Sequence, residues 1–168
     1  MKALYKDFAL WSHDLPVFSL ASAENLRFFG HQLNCMSKEN ATSRGRILLV
    51  DDDEGVRTLV EKLLEKFGYS VTSVGLAQQC LERLSESTFD LILLDHILPD
   101  MDGLLLLQLV RDRLGKSQKP VVYLTGIADD ITKRKAFEIG VDDYVTKPFN
   151  PADFIARVSR QIRLNGSA

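Results

Sequence analysis

Ile47-Leu48-Leu49-Val50-Asp51-Asp52-Asp53 is an uninterrupted apolar run that stops in three consecutive carboxylates. Four apolar residues without polar alternation describe a strand covered on both faces, the habit of parallel sheets. Directly after it, Val56, Leu59, Val60, Leu63, Leu64 and Phe67 recur at helical spacing, and Gly68 stands where that helix should end. A buried strand followed by an amphipathic helix is the unit of an α/β fold.

The chain repeats this unit. Val71 to Val74 reads as a second strand, and Ala77, Cys80, Leu81 and Leu84 mark the stripe of the next helix. Leu91 to Leu94 is a third strand, followed by a loop from Asp95 to Gly103 and a leucine-rich helix from Leu104. Val121 to Leu124 gives a fourth strand, Ile131 to Ile139 lie on a fourth helix, and Tyr144-Val145 is a short fifth strand. The last helix opens with Asn150 as N-cap, Pro151 at its first position and Asp153 in its first turn; Phe154, Ile155, Val158 and Ile162 form its buried stripe. Five strands alternating with five helices predict a doubly wound α/β domain.

The bulk composition restricts what such a domain could do. Lys and Arg total 21 against 23 Asp and Glu, so no strong field marks a nucleic-acid or membrane surface. Cys35 and Cys80 sit in no metal-binding or redox motif and read as reduced thiols. No apolar run is long enough to span a bilayer, and His13, Asp14 and Pro16 interrupt any signal-peptide core, so a cytoplasmic protein is expected. Residues 1–44 show no sustained period and end in a polar stretch, the pattern of a flexible N-terminal extension; Met36 offers a second start. The alternative for this segment is a short partner-binding helix from Phe8 to Phe29. The regular domain is expected over residues 45–164, with 165–168 as a C-terminal tail. That leaves no room for an output domain, so the chain is either stand-alone or cut from a longer one.

In a doubly wound sheet, residues just beyond the carboxyl ends of the strands converge on one crevice. Here those residues are Asp51, Asp52 and Asp53, then Asp95, Thr125 and Lys147. Carboxylates brought that close repel unless a cation shares them. A set of oxygen ligands suits Mg²⁺, which binds through one or two carboxylates plus a phosphate. The pattern is that of a metal-assisted phosphoryl site.

Four blocks carry a family resemblance: Ile47 to Asp53, Leu94-Asp95-His96-Ile97-Leu98-Pro99-Asp100-Met101-Asp102-Gly103, Tyr123-Leu124-Thr125-Gly126, and Asp142-Asp143-Tyr144-Val145-Thr146-Lys147-Pro148-Phe149. Together, in this order and spacing, they resemble the signature blocks of bacterial response-regulator receiver domains. The resemblance implies a flavodoxin-like fold with strand order 2-1-3-4-5. It implies a phosphoryl group accepted on Asp95 from a sensor histidine kinase or histidine phosphotransfer protein. Asp52, Asp95 and the carbonyl of Ile97 would ligate Mg²⁺, with Asp51 acting through a bound water. Lys147, ahead of a cis proline bond, would pair with a phosphoryl oxygen and Thr125 would donate its hydroxyl to another. Tyr144 would turn inward behind Thr125, switching a surface made by the fourth helix, fifth strand and fifth helix. Asp142, Asp143 and Arg157 lie on or near that surface, which would meet a downstream protein target or a second copy of the chain. Such a chain is a signalling phosphoacceptor that catalyses only its own phosphorylation and dephosphorylation.

Other positions carry narrower expectations. The resemblance also implies that Ile97, two residues after Asp95, and Ile127, two after Thr125, would flank the path of attacking water; neither could orient it by a hydrogen bond, which predicts slow phosphate loss. Leu105 and Leu109 share a helix face as a candidate docking ridge. Asp53, Asp100 and His96 read as solvated surface residues, and Asp102-Gly103 as a turn into the third helix. The rival reading is a dehalogenase-like phosphatase with Asp51 as nucleophile. It leaves Asp95 and Pro99 unexplained and requires its acidic motif after the lysine, whereas Asp142-Asp143 precede Lys147.

Overall fold

The computed structural model describes residues 43–114, 119–126 and 129–165. The expectations for residues 1–42, including Cys35, Met36 and the Phe8 to Phe29 helix, and that for Ile127, lie outside the described residues, as does the tail from residue 166. The elements are β1 (Arg46–Val50), α1 (Glu54–Lys66), β2 (Ser70–Val74), α2 (Ala77–Glu86), β3 (Leu91–Leu94), α3 (Gly103–Leu114), β4 (Val121–Thr125), α4 (Asp130–Ile139), β5 (Asp143–Thr146) and α5 (Pro151–Asn165). The five strands pair in parallel in the order β2-β1-β3-β4-β5. Ser43 and Arg44 already belong to this unit, since the Ser70 amide donates to Ser43 Oγ and the Arg44 amide to the Gly68 carbonyl.

Strand periodicity divides the core in two. Leu48 and Val50 face one side of the sheet with Cys80, Leu106, Leu107, Val110 and Ala136. Ile47 and Leu49 face the other with Val56, Val60, Leu64, Phe154 and Val158. Thus α2, α3 and α4 cover one face, while α1 and α5 cover the other. Right-handed crossovers require this division: the chain moves one way from β1 to β2, then the opposite way through β3, β4 and β5. The reversal leaves a crevice beyond the carboxyl ends of β1 and β3.

Helix termini correct several of the sequence readings. Asp53 is the N-cap of α1, its side chain accepting from the Val56 amide at 3.0 Å. Phe67, expected in the buried stripe, is the C-cap residue and is exposed, because the helical period no longer governs past Lys66. Asp100 is not simply solvated. The N-cap of α2 is Leu76, which offers no side-chain acceptor, and Asp100 reaches over from the β3–α3 loop to accept from the Ala77 and Gln78 amides at 2.9 and 3.0 Å. Slight burial opposes ionisation there, but those amides hold the Asp100 carboxyl below the ordinary aspartate range. Asp100→Ala should therefore cost about 1 kcal/mol, read as a lower urea midpoint with unchanged slope. Asn150 caps α5 through the Ala152 and Asp153 amides, as expected, whereas Asp102-Gly103 is more than a turn: Asp102 accepts from the Leu104 and Leu105 amides and Gly103 is the first residue of α3. Cys80 is buried, and burial pushes its thiol up to about 12, in keeping with an inert core cysteine.

Candidate functional site

The crevice gathers residues from four strand ends. Asp51 and Asp52 follow β1, Asp95 follows β3, Thr125 ends β4 and Lys147 follows β5. One carboxylate oxygen from each of Asp51, Asp52 and Asp95 lies within 4.8 Å of the others. The Lys147 ammonium joins two of them, donating to Asp51 Oδ2 at 2.5 Å and to Asp95 Oδ2 at 2.9 Å. The Lys147–Pro148 bond is cis, as expected, and the Lys147 amide donates to the Thr125 carbonyl at 2.7 Å.

Burial sets the electrostatics. Asp51 is wholly buried, and desolvation pushes its carboxyl above the usual range even though Lys147 offsets part of the cost. Burial also works against the Lys147 ammonium, but the Asp51 and Asp95 carboxylates overcome it and hold its pKa above the ordinary lysine value. Three carboxylates against one ammonium leave an excess of negative charge open on the side of exposed Asp52. An oxygen-only donor set with that imbalance fits a small divalent cation such as Mg²⁺.

Backbone groups fix the carboxylates. The Asp53 amide donates to Asp51 Oδ1 at 3.0 Å and the His96 amide to Asp95 Oδ1 at 2.6 Å. Arg57, which sequence reasoning passed over, donates from Nη1 to the Asp51 and Asp52 carbonyls at 2.6 and 2.9 Å. Its spacing was the available signal, since a residue in the first turn of α1 can reach back to the loop preceding that helix. Gly75 lies beside this guanidinium; a Cβ there would stand 3.0 Å from Arg57 Nη1.

The remaining predicted residues are dispersed around the crevice and below it. Ile97 is 55% exposed and forms an antiparallel bridge with Asp102. Thr125 is fully buried at its strand end, and Tyr144 is buried on the neighbouring strand, stacked on Tyr123 at 5.8 Å between ring centroids. His96 is corrected from a free surface residue: its Nδ1 lies 2.9 Å from the Tyr123 hydroxyl. Asp142 accepts from Arg111 Nη2 at 2.5 Å and from the Val121 amide at 2.7 Å. That buried arginine also holds the Gly140 and Lys119 carbonyls. Asp143 is paired with Arg157, which also reaches Asp153. On α3, Leu105 is exposed and Leu109 only half-buried.

No helix among the described residues is long and apolar enough to cross a membrane. The family model described as the response regulator receiver domain matches residues 47–159. The regulatory protein VanR of Enterococcus faecium is 41% identical over 118 residues, which cover 70% of this chain and 50% of VanR. The transcriptional regulatory protein ResD of Bacillus subtilis is 32% identical over 122 residues, 73% of this chain and 50% of ResD. The chain thus spans about half the length of the curated relatives it matches. Among solved structures, the CheY-like receiver of Methanospirillum hungatei superposes with a TM-score of 0.68 at 30% identity, covering 72% of this chain and 95% of that one. The BeF3-activated N-terminal receiver of Klebsiella pneumoniae RstA gives 0.67 at 32% identity, covering 70% and 98%. With its sheet order, its acidic crevice and the family match all in agreement, this chain belongs to the response regulator receiver domains.

Proposed function

We propose that this chain is a cytoplasmic phosphoacceptor of a two-component relay, taking a phosphoryl group from a phosphohistidine of a sensor kinase or histidine phosphotransfer protein onto Asp95. The observation that carries the reading is the convergence of Asp51, Asp52, Asp95 and Lys147 within one crevice at the strand-order reversal. An Asp95 carboxylate oxygen forms the new bond to phosphorus. The phosphorus–nitrogen bond of the donor breaks, and its electron pair returns to the imidazole, which takes a proton from solvent.

Mg²⁺ held by Asp52, Asp95 and the Ile97 carbonyl, with Asp51 acting through water, would neutralise charge on the transferring group. Lys147 exchanges its bond to Asp95 for one to a phosphoryl oxygen, and Thr125 donates its hydroxyl to another. The new dianion then biases Tyr144 and the surface of α4, β5 and α5, where a downstream protein or a second chain binds. Asp142, Asp143 and Arg157 contribute to that surface.

The phosphatase alternative finds no support among the relatives. Asp51 is also a poor nucleophile geometrically: it is wholly buried and both its oxygens are already engaged, by the Asp53 amide and by Lys147.

Intact mass after incubation with acetyl phosphate tests the proposal. One phosphoryl adduct per chain is expected with Mg²⁺, and none with EDTA or in Asp95→Asn. Steady phosphate release without an adduct would overturn it.

Ile97 brings a second expectation. Its exposed apolar side chain offers no hydrogen bond to attacking water, so the phosphorylated state should be long-lived. Ile97→Asn should speed phosphate loss by roughly tenfold, followed as decay of the adduct by mass; an unchanged lifetime would dispose of this account.

A further inference from the structure

His96 occupies an unusual junction. Its amide donates to Asp95 Oδ1 at 2.6 Å, while its ring Nδ1 lies 2.9 Å from the Tyr123 hydroxyl. Tyr123 is wholly buried in β4, among the largest side chains of the core. The Tyr123 ring in turn stacks on Tyr144, with centroids 5.8 Å apart and planes 26° from parallel. Tyr123 therefore adjoins both other rings: His96 at 5.8 Å, tilted by 55°, and Tyr144 at the same centroid spacing, stacked.

A buried phenol hydroxyl needs a partner, because leaving one unsatisfied costs about 1–3 kcal/mol. Burial also pushes the Tyr123 hydroxyl well above the ordinary tyrosine range, so it remains a protonated group able to donate. The His96 bond is thus a constraint on ring position. It ties the Tyr123 ring to the residue whose backbone holds the Asp95 carboxylate. Tyr144 cannot change its packing without the Tyr123 ring moving or losing the stack, since close-packed interiors do not deform freely.

We propose that His96 and Tyr123 are positioning residues that couple the state of the Asp95 carboxylate to the ring of Tyr144, through the Nδ1–hydroxyl bond and the ring stack. This route lies beside the one through Thr125 and rests on the reading of Asp95 as phosphoacceptor. When an Asp95 oxygen becomes the ester oxygen of an acyl phosphate, its hold on the His96 amide changes. The His96 ring then shifts against the Tyr123 hydroxyl, and Tyr144 responds.

Fluorine NMR of the full chain labelled with 3-fluorotyrosine tests this. There are four tyrosines to resolve, and Tyr144→Phe assigns the reporting signal. The probe is Mg²⁺ with beryllofluoride, a stable mimic of the phosphoryl group, added until loading is complete. In the native chain the Tyr144 signal should move on loading. In Tyr123→Phe, which keeps the ring and removes the hydroxyl, the movement should fall by at least half. His96→Leu should have the same effect, and the double variant should lose no more than either single one, as expected for two ends of one bond. His96→Asn, whose side-chain amide can stand in for Nδ1, should restore most of the movement.

A full Tyr144 response in loaded Tyr123→Phe and His96→Leu would overturn the coupling. So would additive losses in the double variant. If the native chain shows no beryllofluoride-dependent change in any signal, the phosphoacceptor reading itself fails and takes this inference with it.

Discussion

Lys147→Met should lower the stability of the metal-free protein by about 3–5 kcal/mol, the usual cost of stripping one partner from a buried ion pair. Lys147 is the cation shared by Asp51 and Asp95, and these side chains are 13%, 0% and 10% exposed. Without it, two desolvated carboxylates face each other and neither can recover its hydration. A bound divalent ion would supply the missing charge, so Mg²⁺ should return much of the loss. Urea unfolding in EDTA and in saturating Mg²⁺ separates the causes. A deficit that shrinks with Mg²⁺ marks electrostatic compensation; an equal deficit in both would mean that Lys147 matters for its packing alone.

Gly103→Ala should cost about 3 kcal/mol, at the upper end of ordinary overpacking. A methyl group at this position would lie 2.5 Å from the His96 carbonyl oxygen and 2.6 Å from both the Asp95 carbonyl oxygen and His96 Cα. These are backbone atoms and cannot rotate aside. The Gly103 amide also donates to the His96 carbonyl at 2.8 Å, so α3 and the loop would have to separate. The displaced segment carries Asp95, and a weaker response to Mg²⁺ should accompany the lost stability. Thermal unfolding with and without Mg²⁺ measures both effects, and a stable variant with native Mg²⁺ response would show that the loop yields more easily than this packing implies.

Much of this architecture was legible because the strands are buried on both faces. Leu91 to Leu94 and Ile47 to Val50 declare themselves as unbroken apolar runs. Strand ends were less visible: Ser70, Thr125, Asp143 and Thr146 belong to the sheet but carry polar side chains at its margins. The crevice was readable because topology sends every strand end to the same edge. What composition and spacing could not supply were the links between distant segments. Asp100 caps a helix 22 and 23 residues away, and His96 meets Tyr123 across 27 residues. The latter contact depends on the register that sets Leu94 beside Tyr123, a fact of the folded sheet. Phe67 failed for the opposite reason, since the helical period was extended one residue beyond the helix that generates it.

If two copies of the chain associate through α4, β5 and α5 as proposed, the Arg157–Asp143 pair bears on how they would do so. Asp143 already holds an arginine from its own chain, 14 residues away, at 3.0 and 3.2 Å. An arginine offered by another molecule competes with a tethered ligand whose effective concentration is at least millimolar. Exchanging one such pair for its twin across a twofold axis would leave the total number of bridges unchanged. The exchange can dictate how two copies line up while contributing little to how tightly they hold, and tightness must then come from apolar area such as the exposed Ile131 and Phe137 of α4.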